Sequence, residues 1–399
     1  MRKDILLQRQ LTRTLSFMHS KRRNVLFGAV NALIEGARLT LSALGRHYRG
    51  LAKERNQIRK MDRLLGNSKL HKEIPRVYSA LNNLIISNPF PIICIDWSCL
   101  NCAEDIYLLR ASLKVKGRSF VCYQEVHPKS HENNTKAQNQ FLDNLSKALP
   151  AEVKPIIVTD AIFSTLWFNK VLALGWDFVG RVRKNRGSYW HNGQWNPVSH
   201  AYDKATSDAK TLGQILLTRR NQLSCRMVIY KKKALGRKCK NGKGQIAKGS
   251  YQNVMKKSGK EPWIIVTSLS SKKVSDRIII KYYSYRMQIE EDFRDTKSHK
   301  YGFGLSDSGT KIHARIAVLL IINLLACICC WVLACYVVAK KKHVDYHANS
   351  LKGTNVLSAI FLGRRVFNKT KAIPIKEFEK AFIYWKSVIK GQIEYGEIL

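Results

Sequence analysis

The spacing of hydrophobic and polar residues predicts helices at the start of the chain and strands after them. Residues 1–85 carry apolar residues at helical spacing, and residues 38–50 and 51–67 make two helix-length segments joined by a glycine-containing turn. Five short apolar runs follow: NPFPIICIDWS, IYLLRASLKV, SFVCYQEV, VKPIIVTDA and WDFVGRVRK. Two amphipathic segments, KAQNQFLDNLSKAL and STLWFNKVLALG, come after the third and the fourth run. This order predicts an α/β fold, a mixed sheet with helices on its faces.

Two of the predicted strands end in an aspartate, Asp96 and Asp160. Open α/β sheets place their sites at the carboxyl ends of strands. Either acid alone is more often an ordinary turn residue. Together with an acid on a later helix, they make three carboxylates that suit two divalent cations.

That later helix is predicted over residues 281–297, KYYSYRMQIEEDFRDTK, which contain no proline or glycine to interrupt it. At about 100° per residue, four polar side chains fall within an arc of roughly 60°. They are Tyr283, Arg286, Glu290 and Lys297. A carboxylate between two cations and a phenol suits a metal-bound phosphate. A surface helix with ion pairs four residues apart fits the spacing equally well.

The character of the chain changes again between residues 187 and 260, which are rich in Gly, Ser, Asn and Lys. We interpret them as a β-rich insertion, with residues 231–249 as a basic mobile loop. EPWIIVTSL, which contains Trp263, then returns to a buried strand. Residues 341–399 predict a helical C-terminal module suited to dimerisation. The expected domains are therefore 1–85, 86–340 and 341–399.

Residues 316–339 form an apolar run in which Asn323 is the one strongly polar residue. The run is long enough to cross a bilayer. Both of its flanks are basic, which gives no orientation bias. A helix buried on all sides in a large domain has the same pattern.

The net charge narrows the class of partner. The 399 residues include 69 Lys and Arg against 28 Asp and Glu, a formal charge of +41. Such an excess indicates a polyanionic partner, nucleic acid first and an anionic membrane second. The second helix of the N-terminal pair suits DNA contact in the manner of a helix-turn-helix, although an ordinary basic helical hairpin has the same composition. Its cations are Lys53, Arg55, Arg59, Lys60 and Arg63.

The chain has ten cysteines. Residues 1–10 are charged rather than apolar, unlike the start of a signal peptide. We therefore expect reduced thiols in a cytoplasmic protein. Cys99 and Cys102 form a single C-x-x-C without a second pair at zinc spacing, so a structural zinc is a weak alternative.

Tyr283, Arg286, Glu290 and Lys297 also match a known signature, Y-x2-R-x3-E-x6-K. The chain resembles bacterial insertion-sequence transposases of the DDE cut-and-paste type, within them the IS-four group of the Tn-ten kind. The resemblance covers nearly the whole length, and PIICIDWS and PIIVTDA are similar to the segments that carry the first and second catalytic aspartates. Further similar segments are MDRLLGNSKLHKE, YLLRASLKVKGRS, KEPWIIVTSL and NVLSAIFLG.

The resemblance implies a ribonuclease-H-like core interrupted by the β-rich insertion, with helical modules at either end. It also implies that residues 316–339 are a core helix, not a membrane span. Asp96, Asp160 and Glu290 would hold two Mg²⁺ ions about 4 Å apart, with Mn²⁺ as a substitute.

In the same way, the resemblance implies that Arg286 and Lys297 grip DNA phosphates and that Tyr283 orients one of them. Trp263 would receive a base flipped out near the cut. The implied steps are nicking, hairpin formation, hairpin opening and strand transfer into target DNA. A synaptic homodimer on two inverted-repeat ends, acting at the bacterial nucleoid, would perform them.

The chain departs from the family pattern in one place. Many relatives have glycine two positions after the second aspartate, whereas this chain has Ile162. The added volume leaves open a catalytically inactive, DNA-binding derivative. A nuclease on the same core that cuts without strand transfer is the other alternative.

Overall fold

A computed structural model of the protein describes residues 10–115, 118–185, 187–232, 261–300, 302–348, 357–370 and 372–391. The chain divides into two compact units that cut across the sequence order. The first comprises Met1–Pro91, Asp96–Val153 and Met287–Leu399, and the second Ile92–Ile95 and Lys154–Arg286. The expected domains at 1–85, 86–340 and 341–399 stay a prediction.

The N-terminal part of the first unit is helical, as predicted. Besides residues 10–14, which are helical, its described residues form α1 (Ser20–Glu35), α2 (Leu41–His47), α3 (Glu54–Leu65) and α4 (Ser68–Ile85); residues 1–9 of the predicted region lie outside the described residues. Side-chain caps begin two of them, since Thr40 Oγ1 accepts from the Ala43 N–H at 3.2 Å and Asn67 Oδ1 from the Leu70 N–H at 2.9 Å. Residues 48–53 connect α2 to α3, a longer connection than the three or four residues typical of a helix-turn-helix.

The strands of the first unit run in the order β3-β2-β1. β1 spans Ile92–Asn101 and contributes residues 96–101 here, β2 spans Ile106–Val115, and β3 spans Arg118–His127. β2 and β3 pair antiparallel with a bulge at Ala111/Ser112. Helix α5 (Thr135–Ala148) packs on β3 and α4. The prediction that the first strand ends at Asp96 is wrong, because β1 continues past it beside β2.

Helix α10 (His313–Ala339) is the core of the first unit. By length and composition it could cross a membrane, but 94% of its most apolar window is buried. It packs against α1, α4, β3, α11 (Ala359–Lys369) and α12 (Ile375–Ile389). Gly363 allows the close approach of α11, because a Cβ there would lie 2.0 Å from the Cys330 carbonyl oxygen. These contacts favour the core helix over the membrane span.

The strands of the second unit run in the order β1-β4-β5-β10-β9-β8-β6-β7. Residues 92–95 of β1 pair in parallel with β4 (Ile156–Thr159), which pairs in parallel with β5 (Asp177–Val182). The remaining pairs are antiparallel: β10 (Trp263–Thr267), β9 (Leu223–Tyr230), β8 (Lys210–Leu217), β6 (Ser188–His191) and β7 (Gln194–Pro197). The predicted mixed sheet is confirmed, and β6–β9 are the described strands of the predicted insertion. The predicted mobile loop at 231–249 lies outside the described residues apart from Lys231 and Lys232.

Among the described residues of the second unit, three helices are present: α6 (Thr165–Ala173), α7 (Ser199–Asp203) and α8 (Asp276–Ser284). Helix α6 packs closely on β5 at Gly180, where a Cβ would lie 2.2 Å from the Phe168 ring. Helix α8 packs on β5, β9 and β10.

The prediction of one continuous helix over residues 281–297 is wrong. Helix α8 ends at Ser284 and α9 spans Met287–Lys297. At the break, two backbone hydrogen bonds span three residues instead of the four of an α-helix. The Tyr285 N–H donates to the Tyr282 carbonyl and the Arg286 N–H to the Tyr283 carbonyl, both at 3.1 Å. Helix α8 packs within the second unit and α9 against β3 of the first. Tertiary packing therefore overrides a sequence that has no local helix breaker.

The expectation that all cysteines are reduced is also wrong. Cys99 and Cys102 form a disulfide, with their Cα atoms 5.8 Å apart, a separation that suits such a bond. Seven other cysteines among the described residues are free thiols, and six of these are buried.

Candidate active site

Asp96 and Glu290 line the same cavity, of about 530 Å³, within the first unit. We call it the two-acid cavity. Asp96 comes from β1 and Glu290 from the first turn of α9. Lys297, at the end of α9, lies in the same wall. The other polar lining residues are Ser98, Arg294, Ser298 and Ser306. The cavity therefore combines two carboxylates, two cations and several hydroxyls.

Lys297 ties the end of α9 to the strand that carries Asp96. Its ammonium group donates to Ser98 Oγ at 2.8 Å and to the Cys99 carbonyl at 3.3 Å. Burial, and then the charge of Arg110, lower the pKa of Lys297. The Trp97 N–H donates to Asp96 Oδ1 at 2.9 Å, which orients that carboxylate.

Only one of the three consecutive acids on α9 lines the two-acid cavity. Glu290 is exposed there. Glu291 instead pairs with Arg118, and the buried carboxylate of Asp292 accepts from Ser112 Oγ at 3.0 Å. Successive side chains on a helix point about 100° apart, so the three neighbours have three different surroundings.

Asp160 lies in the second unit, directly after β4, in what we call the arginine-ringed site. Tyr283 Oη donates to Asp160 Oδ1 at 3.1 Å, and an Arg183 nitrogen lies 3.8 Å from Oδ2. Burial raises the pKa of Asp160, but the charge of Arg286, the Ala161 N–H, Arg181 and Tyr283 outweigh it, so the net pKa lies below the ordinary value. Asp160 is therefore held as a carboxylate.

Tyr283 and Trp263 are also neighbours in the second unit. Their rings lie edge to face, with centroids 4.9 Å apart. Burial and the charge of Asp160 raise the pKa of Tyr283 to about 12, so its hydroxyl keeps its proton at neutral pH. Trp263 and Tyr230 line a second cavity of about 430 Å³. The cations in its wall are Lys232, Arg277 and Lys281.

The signature residues thus divide into two pairs. Tyr283 and Arg286 belong to the second unit with Asp160, and Glu290 and Lys297 to the first unit with Asp96. The prediction that all four share one face of a single helix is wrong, because the helix is broken between the pairs.

On helix α3, Arg55, Arg59 and Arg63 are exposed and four residues apart, so they share one face. Lys53 precedes the helix, and the Lys60 ammonium lies 4.7 Å from the centre of the Tyr48 ring. The predicted cations therefore form an exposed basic surface along three turns.

The sequence model of the transposase DDE domain family matches residues 87–328, which is more than half of the 399 residues. The chain belongs to this family. The match supports a transposase function, and the mixed sheet with flanking helices is consistent with the ribonuclease-H-like fold that the resemblance implies. No curated protein shows significant similarity to the chain.

DDE transposases act on DNA and generally use divalent metal ions. Carboxylate and hydroxyl oxygens are the donors that a hard cation prefers, and the two-acid cavity supplies both kinds, so its donor chemistry fits such an ion. Among the residues that the structure describes, no group of three or more His, Cys, Asp or Glu side chains is arranged to hold a metal. Asp96 and Glu290 lie in the first unit of this DDE transposase and Asp160 in the second.

Sequence reasoning missed two site residues, Arg181 and Arg183. Both lie on or next to β5, in the run WDFVGRVRK. The available signal was two arginines at alternate positions, which place their side chains on the same face of a strand. That pattern says nothing about which acid the face meets.

Proposed function

We propose that this chain is a cut-and-paste DNA transposase of the IS-four, Tn-ten-like kind. It binds the terminal inverted repeats of its element, cleaves them by metal-dependent phosphoryl transfer through a hairpin, and joins the 3′ ends to target DNA. One observation carries the proposal. In a chain of the DDE transposase family, Asp96, Glu290 and Lys297 line one cavity, which combines ligands for a cation with a donor for a phosphate.

Asp96, Asp160 and Glu290 would hold two Mg²⁺ ions. Such ions supply activation of the attacking oxygen and charge stabilisation on the leaving 3′ oxygen. The register of the second unit supports Asp160 as the third acid. Ile95 and Thr159 are paired neighbours on parallel strands, and Asp96 and Asp160 are the next residues along their strands.

The cationic residues would bind the DNA phosphates. Lys297 lines the two-acid cavity, and the charge of Arg286 lowers the pKa of Asp160, so each of the two sites contains a cation that suits an anionic oxygen. Tyr283, with a protonated hydroxyl, donates a hydrogen bond to a phosphate or to Asp160. Trp263 offers an aromatic face in the 430 Å³ cavity on which an extruded base could stack.

The exposed basic surface of α3 and Lys53 would bind the DNA of the element ends. The formal charge of +41 supports a large electrostatic share of the affinity. Two copies of the chain would bring two ends together as a homodimer.

The proposal is tested with a labelled inverted-repeat end, Mg²⁺ and the Asp96→Asn or Glu290→Gln protein. We expect cleavage to be lost and end binding to persist, because the carboxylates act on the reacting phosphate and not on the distant DNA. Glu291→Gln is the matched control, since Glu291 is adjacent in sequence but pairs with Arg118. Wild-type cleavage by Asp96→Asn would refute the carboxylate assignment.

A salt titration tests the role of α3. Replacing Arg59 and Lys60 with alanine should weaken end binding and reduce the slope of log K against log salt by about 0.9 per lost phosphate contact. Lys272 and Lys273 are exposed lysines elsewhere, and their alanine variants are the control. An unchanged slope in the Arg59/Lys60 variant would exclude α3 from the contact.

Strand transfer distinguishes transposition from simple cutting. A pre-cut end should join to plasmid DNA in the presence of Mg²⁺. End binding without any Mg²⁺-dependent cleavage would instead support an inactive DNA-binding derivative, the alternative that Ile162 beside Asp160 favours.

A further inference from the structure

A buried polar cluster lies on the side of α9 that faces away from the two-acid cavity. It consists of Arg110 from β2, Asp292 and Thr296 from α9, and Asn323 from α10. We call it the helix key. All four residues belong to the first unit, and each is at least nine-tenths buried.

Thr296 is the centre of the helix key. Both terminal nitrogens of Arg110 donate to Thr296 Oγ1 at 3.2 Å, and Asn323 Nδ2 donates to it at 3.2 Å. The hydroxyl in turn donates to the Asp292 carbonyl at 3.1 Å. A hydroxyl has one donor and two acceptor lone pairs, so this one is fully used when the two Arg110 nitrogens share one lone pair and Asn323 takes the other. This hydrogen bond explains why the apolar run 316–339 contains one strongly polar residue, Asn323.

Arg110 and Asp292 complete the cluster. Arg110 is fully buried and lies 3.4 Å from Asp292 Oδ1, and its Nε donates to Gln124 Oε1 at 2.8 Å. The other oxygen of Asp292 accepts from Ser112 Oγ at 3.0 Å and lies 3.4 Å from Ser119 Oγ. A buried ion pair adds little net stability compared with apolar residues of the same volume. Its best-attested contribution is to fix register.

The register of α9 matters because its opposite face carries Glu290 and Lys297. At about 100° per residue, Asp292 points about 160° from Glu290 and Thr296 about 120°. A slip of one residue would turn Glu290 by about 100° and move it by about 1.5 Å. The apolar contacts of Ile289 and Phe293 permit such a slip more readily than directional hydrogen bonds do.

We propose that Thr296, held by Arg110 and Asn323, is a positioning residue that fixes the rotation and axial place of α9 and so aims Glu290 and Lys297 into the two-acid cavity. This inference rests on the proposed function, because it assigns Thr296 to the placement of a metal-holding carboxylate. Misplacement by about 1 Å can cost about 100-fold in rate.

The test compares Thr296→Val, which removes the hydroxyl and keeps the branched shape, with Thr296→Ser, which keeps the hydroxyl. Asn323→Leu removes one donor to Thr296 and serves if Thr296→Val does not fold. Asn82→Leu is the control for a general loss of stability, because Asn82 is equally buried and donates to the Cys122 and Ala148 carbonyls, away from α9.

Two quantities are measured on the full chain. The first is the Mg²⁺ concentration for half-maximal cleavage of a labelled end, together with the affinity for that end. The second is the labelling rate of Lys297 by an amine-reactive reagent, followed by mass spectrometry without DNA or metal. Thr296→Val and Asn323→Leu should need about tenfold or more Mg²⁺ and label Lys297 several-fold faster, with end binding unchanged. Thr296→Ser should behave as wild type.

The proposal is overturned if Thr296→Val and Asn323→Leu match Asn82→Leu in both quantities at equal thermal stability. If the wild type itself shows no metal-dependent cleavage, the proposed function fails, and the Lys297 labelling alone decides whether the helix key positions α9. Faster labelling of Lys297 in Thr296→Val and Asn323→Leu then supports that positioning role, and unchanged labelling refutes it.

Discussion

The two-acid cavity and the arginine-ringed site treat their carboxylates differently. In the first unit, Asp96 and Glu290 share a cavity with serine hydroxyls and with Lys297, whose pKa burial lowers. In the second unit, Asp160 is surrounded by guanidinium groups, and its pKa lies below the ordinary value despite burial. One region therefore offers oxygen donors to a cation, and the other already matches its single acid with positive charge.

The difference teaches where each kind of specificity comes from. Paired carboxylates attract a divalent ion because their mutual repulsion is relieved when it binds. Where a carboxylate lies beside arginines, its oxygens can bind a cation while the guanidinium groups donate hydrogen bonds to an anionic phosphate. The arginine-ringed site is thus suited to a phosphate that arrives together with a metal ion.

The largest expected effect is on Asp160→Asn. If Asp160 is the third metal-holding acid, this variant should lose cleavage as fully as Asp96→Asn, by about 10³-fold, since such charge stabilisation is worth several kcal/mol at about 1.4 kcal/mol per factor of ten. Cleavage near the wild-type rate would mean that the two-acid cavity works alone.

The same variant also has a signature in acid. Because the folded pKa of Asp160 is depressed below 3.8, its stabilisation is complete above that pH and is lost as the pH falls through the folded value. Wild-type protein should therefore lose thermal stability below about pH 4 more steeply than Asp160→Asn. Thermal unfolding across that range measures it.

The second effect is on Asp295, on the buried side of α9. Burial raises the pKa of Asp295 to about 6, although Arg118 opposes the shift. The folded state then binds this proton more tightly than the unfolded chain, so stability falls as the pH rises from about 4 to about 6 and stays lower above it. Asp295→Asn should raise the free energy of unfolding at pH 7 by about 1–3 kcal/mol, at about 1.36 kcal/mol per pKa unit.

Urea unfolding at pH 4 and pH 7 measures this gain, which should shrink at the lower pH. Asp203→Asn, at an exposed position, is the control. A variant less stable than wild type at pH 7 would show that the pairing with Arg118, at 3.9 Å, outweighs the cost of burial. The contrast between the raised pKa of Asp295 and the lowered pKa of Asp160 would then be smaller.

The pKa contrast was not predictable from the sequence, whereas much of the fold was. Strands β2 and β3 and helix α5 follow from local patterns, because alternation and amphipathic spacing report which face is buried. The helix break at Tyr285 could not be predicted from the sequence, since no glycine or proline marks it and the two halves pack in different units. The Cys99–Cys102 disulfide and the arginines beside Asp160 depend on distances between side chains that a pattern does not contain.

The candidate site divides in the same way. The resemblance implies Asp96, Asp160 and Glu290 as the acids, which stays a prediction, and neighbouring Glu291 and Asp292 have different surroundings in the structure. The prediction that Tyr283 and Lys297 share one helix face assumed a continuous helix over residues 281–297. Which acid each of them accompanies was therefore visible only in three dimensions.

A third, smaller effect is expected for Tyr283→Phe. It removes the hydrogen bond to Asp160 at 3.1 Å but keeps the ring beside Trp263. One such bond is worth about 0.5–1.5 kcal/mol, so cleavage should fall by about 3- to 10-fold, mainly in kcat, with little change in end binding. Trp263→Phe is a companion that keeps the hydrogen bond and tests the ring separately. A 10³-fold loss in Tyr283→Phe would give the phenol a direct part in the chemistry.

The smallest effect is expected for Ile162→Ala, which tests the departure from the family pattern. The described partners of Asp160 are Tyr283, the arginines and the Ala161 N–H, none of which requires the Ile162 side chain. Cleavage should therefore change by no more than about twofold, the range of substitutions away from such features. A rise of tenfold or more would mean that the volume of Ile162 obstructs the arginine-ringed site. In that case the two regions differ in accessibility as well as in charge, and the chain as it stands is a partly disabled transposase.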